Sequence, residues 1–310
     1  MKPKVTLISH TANPLETLWT VWEASKENKP LSECSAEGVP QERLEDLFHR
    51  VIAQGIPVSE HLQFIFMMEG ASIEWREQAV RHRVGCRVGD RLGIDIAPEL
   101  AESGFWSQSM RILDMSTFAD NDMFRKPETL ALADIHDAER EWERDMKVIQ
   151  DMYAKWVQAG MPMEDARGLI PLAAQTRISW TLNLRTIQHI VGKRGCWILQ
   201  LGLWRPVIEG MIEELATKVH PSFRELVTPP CLKGDEFKGC VFKLENERRV
   251  TEDDALPVCS LYANHHEHER FVRKDLPMFP EMEQRAEEYR TFWGREPFTG
   301  ERYIVTGDED

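Results

Sequence analysis

Residues 71–83 read ASIEWREQAVRHR, and this stretch decides how the rest of the chain is interpreted. Ser72 can cap the N-terminus of a helix that runs through the segment. Gln78, Arg81 and His82 then fall at positions i, i+3 and i+4, so we expect them to share one helical face. Such a face either is a solvated, charged surface or binds a phosphate or carboxylate, which suits the fork of donors on Arg.

A second, basic segment favours the ligand-binding interpretation. Residues 166–208 contain no Asp or Glu, although the whole chain has 52 acidic and 38 basic residues. The segment is rich in Leu, Ile and Trp, so we expect several of its Arg side chains to be partly buried and to need an anionic partner. The segment therefore predicts an anionic ligand, with a purely structural role as the alternative. Its basic residues are Arg167, Arg177, Arg185, Lys193, Arg194 and Arg205.

Composition narrows the class of protein. A chain of 310 residues with 42% hydrophobic and 29% charged residues is typical of a globular protein with one large or two smaller domains. It contains no apolar run long enough to span a bilayer, and we expect no secretory signal at the N-terminus. Six scattered cysteines predict a reducing, cytoplasmic environment. A net charge of −14 argues against nucleic-acid or membrane-surface binding.

Hydrophobic periodicity and breaker residues predict an alternation of strands and helices. In the long helix over 134–160 we expect Ile149, Met152 and Trp156 to face inward. The predicted strands are 4–9, 62–68 and 174–182, and the predicted helices are 13–24, 41–54, 71–83, 134–160, 163–169, 183–194, 196–217 and 281–292.

Five segments together resemble the flavin-dependent thymidylate synthase family. They are VTLISHTANPLETLW at 5–19, QAVRHR at 78–83, SQSMR at 107–111, ARGLIP at 166–171 and TLNLRTIQHIVGKRGCWILQ at 181–200. The family pattern is an opening strand and helix, Gln-x-x-Arg-His-Arg, Ser-x-Arg, Ala-Arg-x-x-Leu-Pro and Asn-x-Arg, with an Arg–Ala-Gln block at the end. The resemblance spans roughly residues 4–215, and its specificity comes from the order and spacing of the motifs.

The resemblance implies an α+β fold with a central antiparallel sheet and long helices. It places a catalytic domain at 1–219, with an insertion near 84–104, and leaves 220–310 as a C-terminal extension of unknown role. It also implies a homotetramer with active sites shared between subunits.

By resemblance, the cofactor-binding residues of the family map to Glu60, Arg81, His82, Arg83, Asn183, Arg185 and His189, which would hold FAD. The residues that meet a pyrimidine nucleoside monophosphate map to Gln78, Arg81, Ser107, Gln108, Ser109, Arg111, Arg167 and Arg194. Arg194 is the catalytic residue, since the matching arginine polarises the uracil ring and a guanidinium stabilises the charge that develops.

The implied reaction transfers a one-carbon unit from methylenetetrahydrofolate to C5 of dUMP, with FAD and NADPH, and gives dTMP. The sequence also departs from the family. An insertion follows residue 83, Gly55 lies near the place of a flavin-covering His, His189 replaces an Asn, and Gly-Cys-Trp follows Arg194. These departures keep open methylation or hydroxymethylation of dCMP or UMP, or a non-catalytic nucleotide-binding protein.

Three further alternatives stay open. The phosphate-binding pair is Ser109 with Arg111, or else Arg87 with Arg91. Cys86 is a reactive thiol or, as we favour, a small packed residue. The cysteines at 231, 240 and 259 either bind zinc or are reduced and buried. The absence of a close Cys pair favours the second, so no metal is expected.

Overall fold

The fold is seen in a computed structural model, which describes residues 3–26, 30–82, 104–109, 111–127, 130, 135–195 and 203–227. Its strands are β1 (Lys4–His10), β2 (Gln63–Ser72), β3 (Phe105–Ser107) and β4 (Gln175–Asn183). Its helices are α1 (Pro14–Ala24), α2 (Gln41–Gln54), α3 (Ile73–Ala79), α4 (Ala138–Gln158), α5 (Met163–Ala166), α6 (Leu184–Arg194) and α7 (Arg205–Lys218).

The four strands form one antiparallel sheet in the order β1-β2-β4-β3. The central strands β2 and β4 pair along their full length, with Gln63 opposite Asn183 and Ser72 opposite Gln175. One irregularity in this register lies at Gly70, whose φ of 78° is favourable for glycine. The sheet and the helices around it confirm the predicted α+β class with a central antiparallel sheet.

The main core lies on one face of this sheet. Alternate residues of β2 and β4 are buried there, as the period of two in a strand requires. Apolar residues of α1, α2, α6 and α7 pack against them, together with Trp75 of α3. The residues of the sheet that supply this core are Phe64, Phe66, Met68, Ile178, Trp180 and Leu182.

Helix α7 covers the outer edge of the sheet. Glu214 accepts a hydrogen bond from the backbone N–H of Leu7 in β1 (2.5 Å), and the Lys218 ammonium donates to the Leu7 carbonyl (3.4 Å). Both backbone groups lie at a bulge on an edge strand and would otherwise be open to pairing with another chain. The side chains of α7 therefore close this edge of the sheet.

The inward face of α4 differs from the prediction. Met146, Gln150 and Tyr153 are buried, whereas Met152 and Trp156 are 48% and 44% exposed, so their predicted inward position is wrong. The reason is a polar contact that hydrophobic periodicity does not reveal. The side-chain oxygen Oε1 of Gln150 accepts hydrogen bonds from the backbone N–H groups of residues 119 and 120 (2.7 and 3.0 Å). These bonds hold the polar side chain of Gln150 on the inward face of α4.

As a result, Val148, Met152 and Trp156 form an exposed apolar row on α4, at i, i+4 and i+8. We refer to these three residues as the α4 stripe. Ile149, which was predicted to face inward, does pack against the second core cluster beneath α4.

The other predicted elements are confirmed with shifted ends. The helix predicted over 71–83 begins at Ile73, capped by Ser72 as expected, and ends at Ala79. The segment 163–169 divides into α5 and a 3₁₀ turn over Arg167–Leu169. The last predicted helix begins at Arg205, and residues 196–202 of that prediction lie outside the described residues.

The domain division stays a prediction. Phe223 and Leu226, in the 3₁₀ turn Pro221–Val227, pack in the main core, so this core continues past residue 219. The insertion up to residue 103, Cys86, and the extension from residue 228 with its three cysteines lie outside the described residues. In the ranges that the structure describes, no helix is long and apolar enough to cross a membrane.

Gly210 allows α7 to approach β1 closely, and we expect Gly210→Ala to destabilise the fold. A Cβ at this position would lie 2.7 Å from Val5 Cγ2, so the helix or the strand must move. We expect a loss of about 1–3 kcal/mol of unfolding free energy, as in other overpacked cores. Chemical denaturation monitored by circular dichroism measures it.

The matched control is Gly192→Ala, also inside a helix, where a Cβ meets nothing within 4 Å. The helix propensity of Ala should leave this variant as stable as the parent or about 0.5–1 kcal/mol more stable. Equal stabilities of the two variants would contradict close packing at Gly210.

Candidate functional site

Two strand–helix junctions direct the site residues. Where β2 ends, Ser72 Oγ accepts a hydrogen bond from the Trp75 N–H (3.2 Å) and starts α3. Where β4 ends, Asn183 Oδ1 accepts from the Thr186 N–H (2.8 Å) and starts α6. Because both caps satisfy helix N–H groups that would otherwise lack partners, the sequence fixes where each helix begins.

The C-terminal ends of α3 and α6 meet at a contact between Arg194 and His82. Arg194 Nε donates a hydrogen bond to His82 Nε2 (2.9 Å). The pKa of His82 is lowered to about 4. Burial is the largest cause, and the charges of Arg194 and His189 add to it. His82 is therefore neutral at pH 7 and carries its proton on Nδ1, which leaves Nε2 as the acceptor.

Trp204 lies beneath this contact and is fully buried. Its indole N–H donates to Gln78 Oε1 (2.8 Å), its ring is 5.2 Å from Arg194 Cζ, and it meets the His82 ring edge to face at 5.0 Å. The structure thus brings Gln78, His82 and Arg194 together around one indole. The His189 ring lies 6.1 Å from the His82 ring and adjoins the group.

This group offers hydrogen-bond donors to a ligand. Arg194 uses Nε on His82 and Gln78 uses Oε1 on Trp204. Within the described part of the chain, the two Nη groups of Arg194 and the Nε2 group of Gln78 have no partner. Burial lowers the pKa of the Arg194 guanidinium from its ordinary value, yet a guanidinium stays protonated at neutral pH. The arrangement therefore suits an anionic or carbonyl-rich ligand.

Arg185 and Glu60, both predicted to bind the cofactor, contact each other. Arg185 Nε is 3.2 Å from Glu60 Oε1, and Arg185 Nη1 donates to the Gly55 carbonyl at the end of α2 (2.9 Å). Gln188 of the same helix donates to the carbonyls of residues 51 and 52 (3.0 Å each). These bonds fix α6 on the C-terminal end of α2.

The premise that buried arginines of the basic segment lack acidic neighbours is wrong for two of them. Arg185 pairs with Glu60, as above, and buried Arg205 lies 3.7 Å from Glu209. The first partner comes from a different element, and the second lies just beyond the acid-free segment, so the segment's own composition does not reveal either. Arg194 is different, since its partner is an imidazole.

A second group gathers around Glu164. Arg111 Nη1 lies 3.6 Å from a Glu164 carboxylate oxygen, and Arg167 Nε donates to the Glu164 carbonyl (2.9 Å). Ser109 Oγ accepts from the Arg111 N–H (3.3 Å). Gln108 continues strand β3 past Ser107, with its N–H bonded to the carbonyl of residue 177. Arg111 and Arg167 are exposed. Arg111 and Arg167 thus both contact Glu164, and Ser109 is hydrogen-bonded to Arg111. That the three residues form one phosphate site stays a prediction.

Other predicted residues lie apart or outside the described residues. Arg81 is exposed, and α3 ends at Ala79, after which the chain continues in i→i+3 turns to His82. That Arg81 shares one face with Gln78 and His82 stays a prediction. Asn183 is buried, with its Oδ1 used as a helix cap. Arg83, Arg87 and Arg91 are not among the described residues.

Trp204 was not predicted to belong to the site. It lies 126 positions from Gln78 in the chain, and the sequence around it shows only a helix start, Trp-Arg-Pro. Ten tryptophans in one chain favour a core position for each, so a pattern within a single sequence does not single this one out.

The contact between His82 and Arg194 predicts a loss of stability in acid. His82 has a folded-state pKa of about 4, whereas an unfolded histidine titrates near its ordinary 6.5. The unfolded chain therefore binds a proton first, and stability falls as the pH drops from 6.5 towards 4. The difference between the two pKa values sets an upper limit of about 3 kcal/mol, and solvent screening of the half-buried ring keeps the contribution of His82 below that limit.

His82→Gln keeps an acceptor near the Nε2 position without titrating, so it should remove this component of the acid sensitivity. Denaturant midpoints of both proteins between pH 7 and 4 measure the difference. The same pH dependence in both proteins would show that His82 is not the group responsible.

Solved structures that share this fold include two from bacteria. The thymidylate synthase X of Helicobacter pylori, solved with FAD and dUMP, is 14% identical, with a TM-score of 0.51 over 73% of this chain and 99% of that one. PolB from Streptomyces cacaoi, described as a UMP/dUMP methylase and bound to 5-Br dUMP, is 18% identical, with a TM-score of 0.52 over 72% and 93%. At these identities the likeness concerns the fold.

Sequence relatives agree with this fold. The flavin-dependent thymidylate synthase of Pyrococcus furiosus is 25% identical over 262 residues, which is 74% of this chain and 93% of that protein. The one from Geobacter sulfurreducens is 29% identical over 57% and 66% of the two chains. The model of the family described as thymidylate synthase complementing protein matches residues 6–222, more than half of the chain. The chain therefore belongs to the flavin-dependent thymidylate synthases, a family of enzymes.

Proposed function

We propose that this enzyme transfers a one-carbon unit from methylenetetrahydrofolate to C5 of dUMP, with FAD and NADPH, and forms dTMP. The observation that carries the proposal is the donor set at the ends of α3 and α6. Arg194 and Gln78 present N–H groups beside a neutral His82, at positions that match the family motifs. A uracil ring offers carbonyl oxygens and a ring nitrogen that can ionise, both of which accept such bonds.

Arg194 has the catalytic role in this proposal. Its two Nη groups donate to the uracil ring and stabilise the negative charge that forms when N3 ionises, which makes C5 more nucleophilic. His82 acts through Arg194, since it accepts from Nε and holds the guanidinium in place. Gln78 adds a neutral donor through Nε2.

The nucleotide phosphate is assigned to Ser109, Arg111 and Arg167, with Ser107 and Gln108 in the preceding strand. Two exposed guanidinium groups near one hydroxyl suit a dianion. The Glu164 carboxylate pairs with Arg111 at 3.6 Å while both side chains are largely exposed, so a phosphate can replace it at low cost.

The residues also fit FAD. Among the described residues, Arg185 Nη2 has no partner and can donate to a ligand. The other residues assigned to FAD are Arg81, His82, Arg83, Asn183, Glu60 and His189. The pyrophosphate and the polar ring edge of a flavin dinucleotide both accept bonds from guanidinium and amide groups. When bound, reduced FAD supplies the electrons and the carrier chemistry for the one-carbon unit. The protein contributes orientation and electrostatic stabilisation.

A second candidate is C5 methylation of UMP. PolB shares the fold and is described as a UMP/dUMP methylase. The two nucleotides differ only at the ribose 2′ position, so the donors assigned to the base and the phosphate serve both. The same assay with both nucleotides separates the candidates.

We further propose a homotetramer with shared sites, in a cytoplasmic setting. The α4 stripe is an exposed apolar row of the kind that subunit interfaces cover. Arg111 and Arg167 are also exposed, so they remain available to a site that a second subunit completes.

The proposed reaction predicts a product that mass spectrometry detects. Incubation of the protein with FAD, NADPH, methylenetetrahydrofolate and dUMP should give dTMP. Arg194→Ala should lower kcat/KM by roughly 10²–10³, since one stabilising donor group is lost at the developing charge. Arg144→Ala, an exposed arginine of α4, is the matched control and should behave like the parent.

Formation of dTMP without FAD, or equal rates for the two variants, would contradict the assigned mechanism. Methylation of UMP but not of dUMP would favour the second candidate. A protein that binds neither nucleotide would contradict both.

The tetramer predicts that charge on the α4 stripe weakens assembly. The parent should elute with the mass of four chains in size-exclusion chromatography with light scattering. Trp156→Glu should shift this mass towards smaller species, because a buried charge at an interface costs several kcal/mol. Gln158→Glu places the same charge on an exposed position away from the stripe and should leave the mass unchanged. A monomeric parent, or equal masses for both variants, would refute this interface.

A further inference from the structure

The contact between Trp204 and Gln78 has only one chemically possible orientation. An indole N–H donates hydrogen bonds and accepts none, whereas an amide has one oxygen and one NH₂ group. The atom of Gln78 that faces Trp204 at 2.8 Å must therefore be the oxygen Oε1. It follows that the NH₂ group faces away from the indole and is the part of Gln78 that a ligand meets.

Without this bond the amide could rotate by about half a turn. A rotated amide would present its oxygen to the ligand, and an oxygen repels the acceptor atoms of a phosphate or a uracil carbonyl. The orientation of Gln78 therefore decides whether this residue helps or hinders binding. A Gln78 side chain without this bond would sample both states.

The same indole also supports Arg194. The guanidinium carbon lies 5.2 Å from the indole ring centroid, within the range of a cation–π contact. His82, which accepts from Arg194 Nε, meets the same ring edge to face. One buried ring thus limits the movement of three side chains that bear on the ligand.

We propose that Trp204 is a positioning residue of the nucleotide site, which orients the Gln78 amide so that its NH₂ group faces the nucleotide and supports Arg194 from below. The inference rests on the proposed function, since it takes dUMP as the ligand. It adds a residue from the start of α7 to a site otherwise built from α3 and α6.

Trp75 provides a matched comparison within the same aromatic cluster. Its ring lies 5.1 Å from that of Trp204, and both side chains are buried. The Trp75 indole N–H has no hydrogen-bond partner in the part of the chain that the structure describes. Replacement of either indole by phenylalanine removes similar packing, but only one replacement removes a bond to Gln78.

The first experiment titrates the full-length, FAD-loaded protein with dUMP and follows the flavin absorbance. Trp204→Phe should weaken dUMP binding by about tenfold, since a hydrogen-bond donor to the nucleotide loses its orientation. Trp75→Phe should stay within about twofold of the parent, because it loses packing alone. Parental affinity in Trp204→Phe, or an equal loss in both variants, would overturn the proposal.

A double-mutant cycle tests whether the effect passes through Gln78. If Trp204 acts by orienting this amide, Trp204→Phe should change dUMP affinity by at most about twofold in a Gln78→Ala background. A purely structural role of Trp204 would instead give the same loss in both backgrounds. That result would overturn the proposal even if the single variant binds poorly.

A second pair of variants leaves Trp204 intact and decides the matter if Trp204→Phe does not fold. In Gln78→Glu the carboxylate still accepts from the indole, so it stays in place and presents its second oxygen to the nucleotide. We expect it to bind dUMP at least about tenfold more weakly than Gln78→Ala, because acceptors and negative charges then face each other. Equal or tighter binding would show that the side chain is not held, and would overturn the proposal.

The parent protein shows whether the proposed function fails or only the role of Trp204. If the FAD-loaded parent gives no response to dUMP, the proposed function fails and the role of Trp204 fails with it. Suppose that the parent responds, that Trp204→Phe binds dUMP like the parent, and that Gln78→Glu binds it like Gln78→Ala. Then only the role of Trp204 is overturned.

Discussion

The antiparallel pairing of β2 with β4 is the constraint on which the site depends. Because the two strands run in opposite directions, the helices that follow them begin at opposite ends of the pair, α3 after Ser72 and α6 after Asn183. A paired span of this length measures about 30 Å. The two helices together measure about 27 Å at 1.5 Å per residue, which is close to the length of the paired strands. Two helices that start at opposite ends and run towards each other can therefore meet, and their ends do so at the contact between His82 and Arg194.

The electrostatics of the site follow from where these helix ends meet. Partial burial penalises charge, and a guanidinium stays protonated, so the neighbouring imidazole is the group that gives up its proton. The pair therefore carries one positive charge rather than two. This charge lies on the last residue of α6, where the negative end of the helix dipole favours a cation. The contact between His82 and Arg194 therefore offers a single cation, held through its Nε by the imidazole.

The sequence predicts the elements well because their signals are local. The cap Ser72, the alternation in β2 and β4, and the motif residues near the helix ends all follow from neighbours in the chain. What it misses depends on distant partners. The inward face of α4 is set by a bond from Gln150 to a loop 30 residues away, and periodicity alone placed Met152 and Trp156 wrongly. The interaction of Trp204 with Gln78 bridges 126 positions and has no pattern of its own.

The closure of β1 by α7 has a consequence for how the chain folds during synthesis. Leu7 receives its last backbone partner from Glu214, 207 positions later, and Val5 packs against Gly210. Such long sequence separations slow folding, because the entropy cost of loop closure is met before the stabilising contacts can form. On the ribosome, the first strand therefore keeps an open edge until α7 has left the exit tunnel. During that interval the nascent chain is exposed to edge-to-edge pairing with its neighbours on the same messenger.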